Sequence, residues 1–261
     1  MRLIAGYPRS GTTMLYQWAC ECNRDKIVLY EPDHELLPVH LRRADRIVDI
    51  TQPRPHMPWK NYLLLPESVR EEIVRSHVVN SSPMSLDEIR GYVDVLANIA
   101  REYNVLYKVV RWNMVLGELA REYNARVLFI IRDVYDVVMS HMTRLRGNED
   151  AFNNLKIFER IKREYGVEAR DIVERVTVNW FFHNTRALED SVKYPKNIAV
   201  VHYSRIVSNP AILRHYEPFI GFKLTCNPVV YPKKYRVPLE VKVKIDSVLK
   251  SLCRDYSSPL C

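Results

Sequence analysis

Gly6-Tyr7-Pro8-Arg9-Ser10-Gly11-Thr12-Thr13 lies between an apolar run, residues 2–7, and a helical pattern over residues 12–23. Gly6 and Gly11 stand at the GxxxxG spacing of a phosphate-binding loop, in the strand–loop–helix context that this pattern requires. The glycines allow a sharp backbone turn and bring amide N–H groups against phosphate oxygens. The helix N-terminus adds its dipole and unpaired N–H groups, and Thr12 and Thr13 supply hydroxyl donors. One position departs from the common form: Thr12 stands where a lysine usually follows the second glycine, and the nearest cation is Arg9. Kinases and ATPases place that lysine on the β/γ-phosphates and hold Mg²⁺ with the next hydroxyl and a distant carboxylate. The loop therefore predicts a bound nucleotide held by a different arrangement of cations.

Outward from the loop, apolar periodicity alternates strands with helices. Strands are predicted at 27–30, 105–110, 127–131 and 198–203. Helices are predicted at 33–45, 66–77, 85–103, 113–123, 133–146, 151–164, 168–192, 209–219 and 237–252. Ser85-Leu86-Asp87-Glu88 reads as a capping box, Asn113 as an N-cap and Asn124 as a helix stop. Residues 46–64, rich in proline and aromatics, read as a loop. The expected fold class is α/β: three layers, a mostly parallel central sheet covered on both faces, like the P-loop NTPases. The expected organisation is one domain over 1–261, with 33–103 as a helical and loop insertion over one sheet edge that shapes the acceptor site.

A second anion site is expected at a strand end. Arg132 follows the β-branched run 127–131, and ligands of open α/β sheets bind outside the carboxyl ends of the strands. Ser140 lies two turns into the next helix and can face back, so the pair suits a phosphate. Asp133 and Asp136 are candidate helix caps.

Composition sets the bounds. The chain has 261 residues, 47% of them hydrophobic, and a formal net charge of +8. That charge favours anionic partners, but the basic residues are scattered, so no nucleic-acid-binding tail is expected. No apolar run reaches the length of a membrane span and no secretory leader is recognised, so the expected compartment is the cytoplasm. Cys20 and Cys22 point to nearly opposite sides of a helix, and no CxxC pair exists, which argues against zinc. Free thiols are the expectation for the five cysteines; a disulfide at Cys253 or Cys261 would fit a hyperthermophilic source.

Together the two sites resemble the sulfotransferases that use 3′-phosphoadenosine 5′-phosphosulfate (PAPS). The 5′-phosphosulfate loop of that family is similar to Pro8-Arg9-Ser10-Gly11-Thr12-Thr13, and its 3′-phosphate motif pairs an Arg with a Ser eight positions on, as Arg132 and Ser140 do. Val134 stands where the family often has proline. Arg9 and Met14 replace the Lys and Trp of cytosolic members, so the loop looks more like the bacterial and the carbohydrate- or tyrosine-directed branches. Leu106-Tyr107-Lys108 resembles the strand whose lysine approaches the sulfuryl group. Val200-Val201-His202-Tyr203 resembles a late family strand, with Ser204-Arg205 in place of its usual acidic pair. The resemblance covers residues 2–32 and 105–222.

The resemblance implies metal-independent, in-line transfer of a sulfuryl group from PAPS to a hydroxyl or amine acceptor, leaving 3′-phosphoadenosine 5′-phosphate (PAP). Arg9 with Ser10, Gly11, Thr12 and Thr13 would hold the phosphosulfate. Lys108 would stabilise charge on the bridging oxygen, and Arg132 and Ser140 would read the 3′-phosphate. Cytosolic members carry a histidine soon after the strand lysine; here Val109, Val110 and Arg111 follow it. Glu31 is therefore the first candidate base and His34 the second. Trp112, Trp180 and Tyr203 are read as core aromatics before adenine platforms, and the basic aromatic loop 54–60 as a cover for the acceptor. Two other readings stand beside this one. A P-loop nucleotide kinase or NTPase has Thr12 against it. A non-catalytic nucleotide-binding protein is permitted by the charge.

Overall fold

A computed structural model of the chain describes residues 1–32, 37–38, 60–77, 83–144, 149–226 and 235–261. Five strands, β1 (Arg2–Gly6), β2 (Val28–Tyr30), β3 (Leu106–Val109), β4 (Arg126–Ile131) and β5 (Ile198–His202), form one sheet. Its order is β2-β3-β1-β4-β5 and every pairing is parallel.

Successive side chains of a strand point to opposite faces, and both faces here are apolar because both are covered. Leu3, Ala5, Tyr107, Val109, Val127, Phe129 and Ile131 belong to one core. Ile4, Leu106, Leu128 and Ile130 belong to the other. The first core also takes residues from α2 (Glu67–Ser76), α3 (Arg90–Tyr103), α4 (Leu116–Tyr123), α5 (Val134–Arg144), α6 (Glu149–Tyr165), α7 (Ile172–Lys193) and α10 (Leu239–Asp255). The second packs on α1 (Thr12–Cys22), α8 (Tyr203–Ser208) and α9 (Glu217–Ile220). The expected three layers are present. By alternation, Lys108 continues the Leu106 row and stands on the α1 side, next to the loop between β1 and α1.

Several local expectations are corrected. The helix expected at 209–219 is instead a 3₁₀ turn, Pro210–His215, followed by α9. Pro210 has no N–H and pushes the preceding residue out of the helical region, and Asn209 sits at φ −147°, ψ 86°. Asn113 does not cap a helix from outside. It opens a 3₁₀ turn, Asn113–Val115, and is buried, with Nδ2 3.3 Å from both the Val110 carbonyl and His183 Nδ1. After Ser85 a 3₁₀ turn, Leu86–Glu88, comes before α3, and Glu88 Oε1 accepts from the amides of Met84 (2.9 Å) and Ser85 (3.3 Å). Asn124 ends α4 at a left-handed φ of 47°, as expected. Within the expected loop 46–64, Lys60–Leu64 form a 3₁₀ turn; residues 46–59 lie outside the described residues, as does most of the helix expected at 33–45.

The free-thiol expectation also fails. Cys22 pairs with Cys226, and Cys253 with Cys261, while Cys20 remains a thiol. The 22–226 pair forms because Asn23, just beyond α1, exchanges two hydrogen bonds with the Lys223 backbone, its Oδ1 accepting at 3.0 Å and its Nδ2 donating at 2.7 Å. Nothing local in the sequence announces a contact across 204 positions. A crosslink closing so long a loop constrains the unfolded chain strongly. Cys22→Ser is expected to cost about 3–5 kcal/mol. Urea denaturation without reductant checks this, and a loss under about 1 kcal/mol would contradict it.

Candidate active site

The loop leaves β1 at Gly6 and enters α1 at Gly11, which has a φ of 98°. A Cβ on Gly6 would stand 2.7 Å from the Ile130 carbonyl oxygen, and one on Gly11 would lie 2.5 Å from the Tyr203 ring. Both glycines are therefore required by close approach, and Gly11 also by its left-handed backbone. Between them the Ser10 amide donates to the Tyr7 carbonyl at 3.0 Å. Ser10 is fully buried, and its Oγ has no hydrogen-bond partner among the described residues. Orphaned buried hydroxyls are costly, so a ligand oxygen at this point would complete the loop. Thr12 is buried, whereas Thr13 is exposed and shares a side-chain hydrogen bond with Tyr30.

Arg132 lies at the carboxyl end of β4 and is 8% exposed. Its Nη1 donates to the Arg9 carbonyl at 3.1 Å, and its guanidinium pairs with Asp136 at 3.2 Å. The same guanidinium sits 4.5 Å above the Tyr203 ring and 5.9 Å from that of Tyr235. Arg9 Nε donates in turn to Ser140 Oγ at 3.1 Å. The two sites read separately in the sequence are thus one continuous surface. Asp133 caps α5, its Oδ1 accepting from the Tyr135 amide at 2.9 Å, while Asp136 holds Arg132 rather than the helix end.

Trp180 is a core residue with one polar duty: its Nε1 donates to the Arg132 carbonyl at 2.9 Å. Trp112 is core. Tyr203 is more than core packing, because it lies against Gly11 on one side and Arg132 on another. Burial pushes its phenol pKa up, so the ring stays neutral under the arginine.

The third group joins β2 to β3. Tyr30 is the register partner of Lys108, and the Glu31 amide donates to the Lys108 carbonyl at 2.8 Å. Glu31 then turns to a left-handed φ of 33°. Its carboxylate forms an ion pair with Lys108 Nζ, and both residues are buried. The Lys108 ammonium also faces the Tyr30 ring at 4.1 Å. Burial raises the Tyr30 phenol above its ordinary range, and the Lys108 charge partly opposes that rise.

Four non-glycine residues among the described ones have positive φ: Arg9, Glu31, Asn104 and Asn124. Asn104 and Asn124 terminate helices, where asparagine suits the left-handed conformation. Arg9 and Glu31 have no such excuse, and each holds strain worth about 1–3 kcal/mol. Both stand in this site.

The structure brings Arg9, Ser10, Gly11, Thr12, Thr13, Arg132 and Ser140 together around the loop, and Glu31 and Lys108 together beside it through Tyr30. His34 lies outside the described residues, as do residues 54–59 of the loop expected to cover the acceptor. Sequence reasoning missed Tyr30 and Tyr235 and gave Asp136 a different duty. The i, i+4 spacing from Arg132 to Asp136 was the available signal for the last; the two tyrosines had none. Among the described residues no three His, Cys, Asp or Glu side chains stand together to hold a metal ion, and no helix is long and apolar enough to cross a membrane.

Residues 3–213 match the sequence model described as the sulfotransferase family. An uncharacterised protein of Archaeoglobus fulgidus is 30% identical over 288 residues, covering 94% of this chain and 89% of that protein. Among solved structures, the sulfotransferase domain from the Synechococcus PCC 7002 olefin synthase is 15% identical, with a TM-score of 0.50, covering 99% of this chain and 95% of that one. The sulfotransferase domain from the curacin biosynthetic pathway is 13% identical, with a TM-score of 0.49, covering 96% and 97%.

Proposed function

The chain belongs to the sulfotransferase family, and from that premise we propose that it moves a sulfuryl group from PAPS to a hydroxyl or amine acceptor. The observation that carries this reading is the direct linkage of the two segments expected to bind anions. Arg132 donates to the backbone of Arg9, and Arg9 donates to Ser140. A donor with phosphate groups at its 5′ and 3′ positions needs two adjacent sites held in fixed relation, and a nucleotide without the 3′-phosphate would use only one.

In this reading the loop amides, Arg9 and the Ser10, Thr12 and Thr13 hydroxyls hold the phosphosulfate, and Arg132 and Ser140 hold the 3′-phosphate. The loop resembles the PRSGTT-type branches of the family more than the cytosolic ones. Charge that builds on the bridging oxygen is met by the Lys108 ammonium, a buried and pre-oriented cation. Glu31 takes the acceptor proton, and His34 is the second candidate for that role. The insertion 33–103, which follows Glu31 directly, supplies the acceptor contacts within a single domain. Positioning and charge do the work of the transfer, as in phosphoryl transfer, with arginine and lysine in the place of a metal.

Titration calorimetry tests the donor assignment. PAP is expected to bind at micromolar concentration without divalent metal, and ATP with Mg²⁺ at least tenfold more weakly. Equal or tighter binding of ATP with Mg²⁺ would overturn the donor assignment in favour of a nucleotide kinase or NTPase.

A further inference from the structure

Lys108 is already engaged by the protein itself. Its ammonium is sealed from solvent, paired with the Glu31 carboxylate and set against the Tyr30 ring. The strained backbone of Glu31 turns the carboxylate across to its neighbouring strand. Tyr30 reaches the phosphate loop through Thr13, which ties the pair to the anion cradle. The transfer asks something different of each group. Lys108 must face the donor's bridging oxygen, and Glu31 must accept a proton. A carboxylate bound to an ammonium is a weak base, and an ammonium neutralised by a carboxylate attracts an anion poorly.

We infer that Glu31 and Lys108 exchange partners when the donor binds. The inference rests on the sulfotransferase reading and concerns the regulation of that same site. The arriving phosphosulfate takes the Lys108 ammonium, and the released Glu31 carboxylate becomes the base. The acceptor O–H or N–H proton passes to Glu31 as the acceptor atom forms its bond to sulfur. The bond from sulfur to the bridging oxygen breaks, and its electron pair stays on that oxygen beside Lys108. Glu31 afterwards gives the proton to solvent. The buried ammonium keeps a counter-charge throughout, first the carboxylate and then the donor, and the Tyr30 ring face holds it during the exchange. The base is thus inactive until the donor is in place.

A fixed structural ion pair is the competing account, and PAPS binding separates the two without any acceptor. Removing one partner of a buried pair leaves an uncompensated charge. In E31Q that charge is Lys108, and PAPS supplies the missing anion. Calorimetry is expected to show PAPS binding roughly tenfold tighter to E31Q than to the unmodified chain, with that gain absent when E31Q is made in the K108Q background. Equal tightening in both backgrounds would mean a general charge effect and overturn the exchange. Unchanged or weaker binding in E31Q would overturn it as well. If circular dichroism shows E31Q unfolded, Glu31→Asp replaces it; its shorter carboxylate grips Lys108 less and should give a smaller gain with the same dependence on Lys108. Failure of PAPS to bind the unmodified chain would overturn the functional reading, and the exchange with it. Binding without the E31Q effect would overturn the exchange alone.

Discussion

Arg132→Ala is expected to weaken PAP binding by about 100-fold while changing binding of the same nucleotide without its 3′-phosphate by less than about fivefold. The guanidinium is 8% exposed and held on three sides, by the Arg9 carbonyl, Asp136 and the Tyr203 ring. Its geometry is fixed before ligand arrives, so little ordering entropy is lost on binding. Charge-assisted, two-pronged hydrogen bonds to a phosphate are among the strong ones, worth about 1.5–3 kcal/mol each. Truncation also removes the support beneath Arg9, which is why a small loss is expected for the nucleotide lacking the 3′-phosphate. Arg132→Lys keeps the charge but not the fork and should fall between. Calorimetry with both nucleotides reads the selectivity. A uniform loss for both would show that Arg132 only supports the loop, and the 3′-phosphate role would fall.

Stability is expected to fall as pH is lowered from about 6.5 toward 3, and His183 is the main cause. The imidazole is fully buried on α7, and burial lowers its pKa from 6.5 to about 3. Its ring meets the Tyr7 ring edge-on at 5.4 Å, and Asn113 Nδ2 lies 3.3 Å from its Nδ1. The sign follows from linkage. Between the folded and unfolded pKa values the unfolded chain binds the proton and the folded chain does not, so acid favours unfolding in that window. Fully developed, the effect is on the order of 4–5 kcal/mol. Urea midpoints at pH 8, 6 and 4.5 check this against His183→Gln, which fills similar space without titrating. The variant should lose stability at pH 8 but show a shallower decline with acid. Parallel declines would assign the acid sensitivity to carboxylates instead.

Much of the fold was legible because it rests on local patterns. Short β-branched runs separated by helical periods call for a parallel sheet with both faces covered, and the strands fall within a residue or two of their expected places. The helix end at Asn124 follows from asparagine's tolerance of the left-handed region. The errors have equally local causes. Pro210 and Pro218 broke one expected helix into pieces, and Asn113 turned its amide inward because a buried histidine needed a partner.

The strand–loop–helix at residues 2–22, the Arg132–Ser140 spacing and an acid and a lysine at two strand ends were all legible in the residue order. These are properties of consecutive residues, and consecutive residues share a strand, a turn or a helix. How those pieces meet is a matter of long-range packing. Register between β2 and β3 set Tyr30 opposite Lys108 and so joined Glu31 to it. The order of strands set β4 beside β1, which let Arg132 reach the Arg9 backbone. Packing of α1 against the segment beyond α9 brought Cys22 to Cys226. Each contact spans a long stretch of chain and depends on strand order, register and layer packing together, and no short-range preference of the residues encodes that.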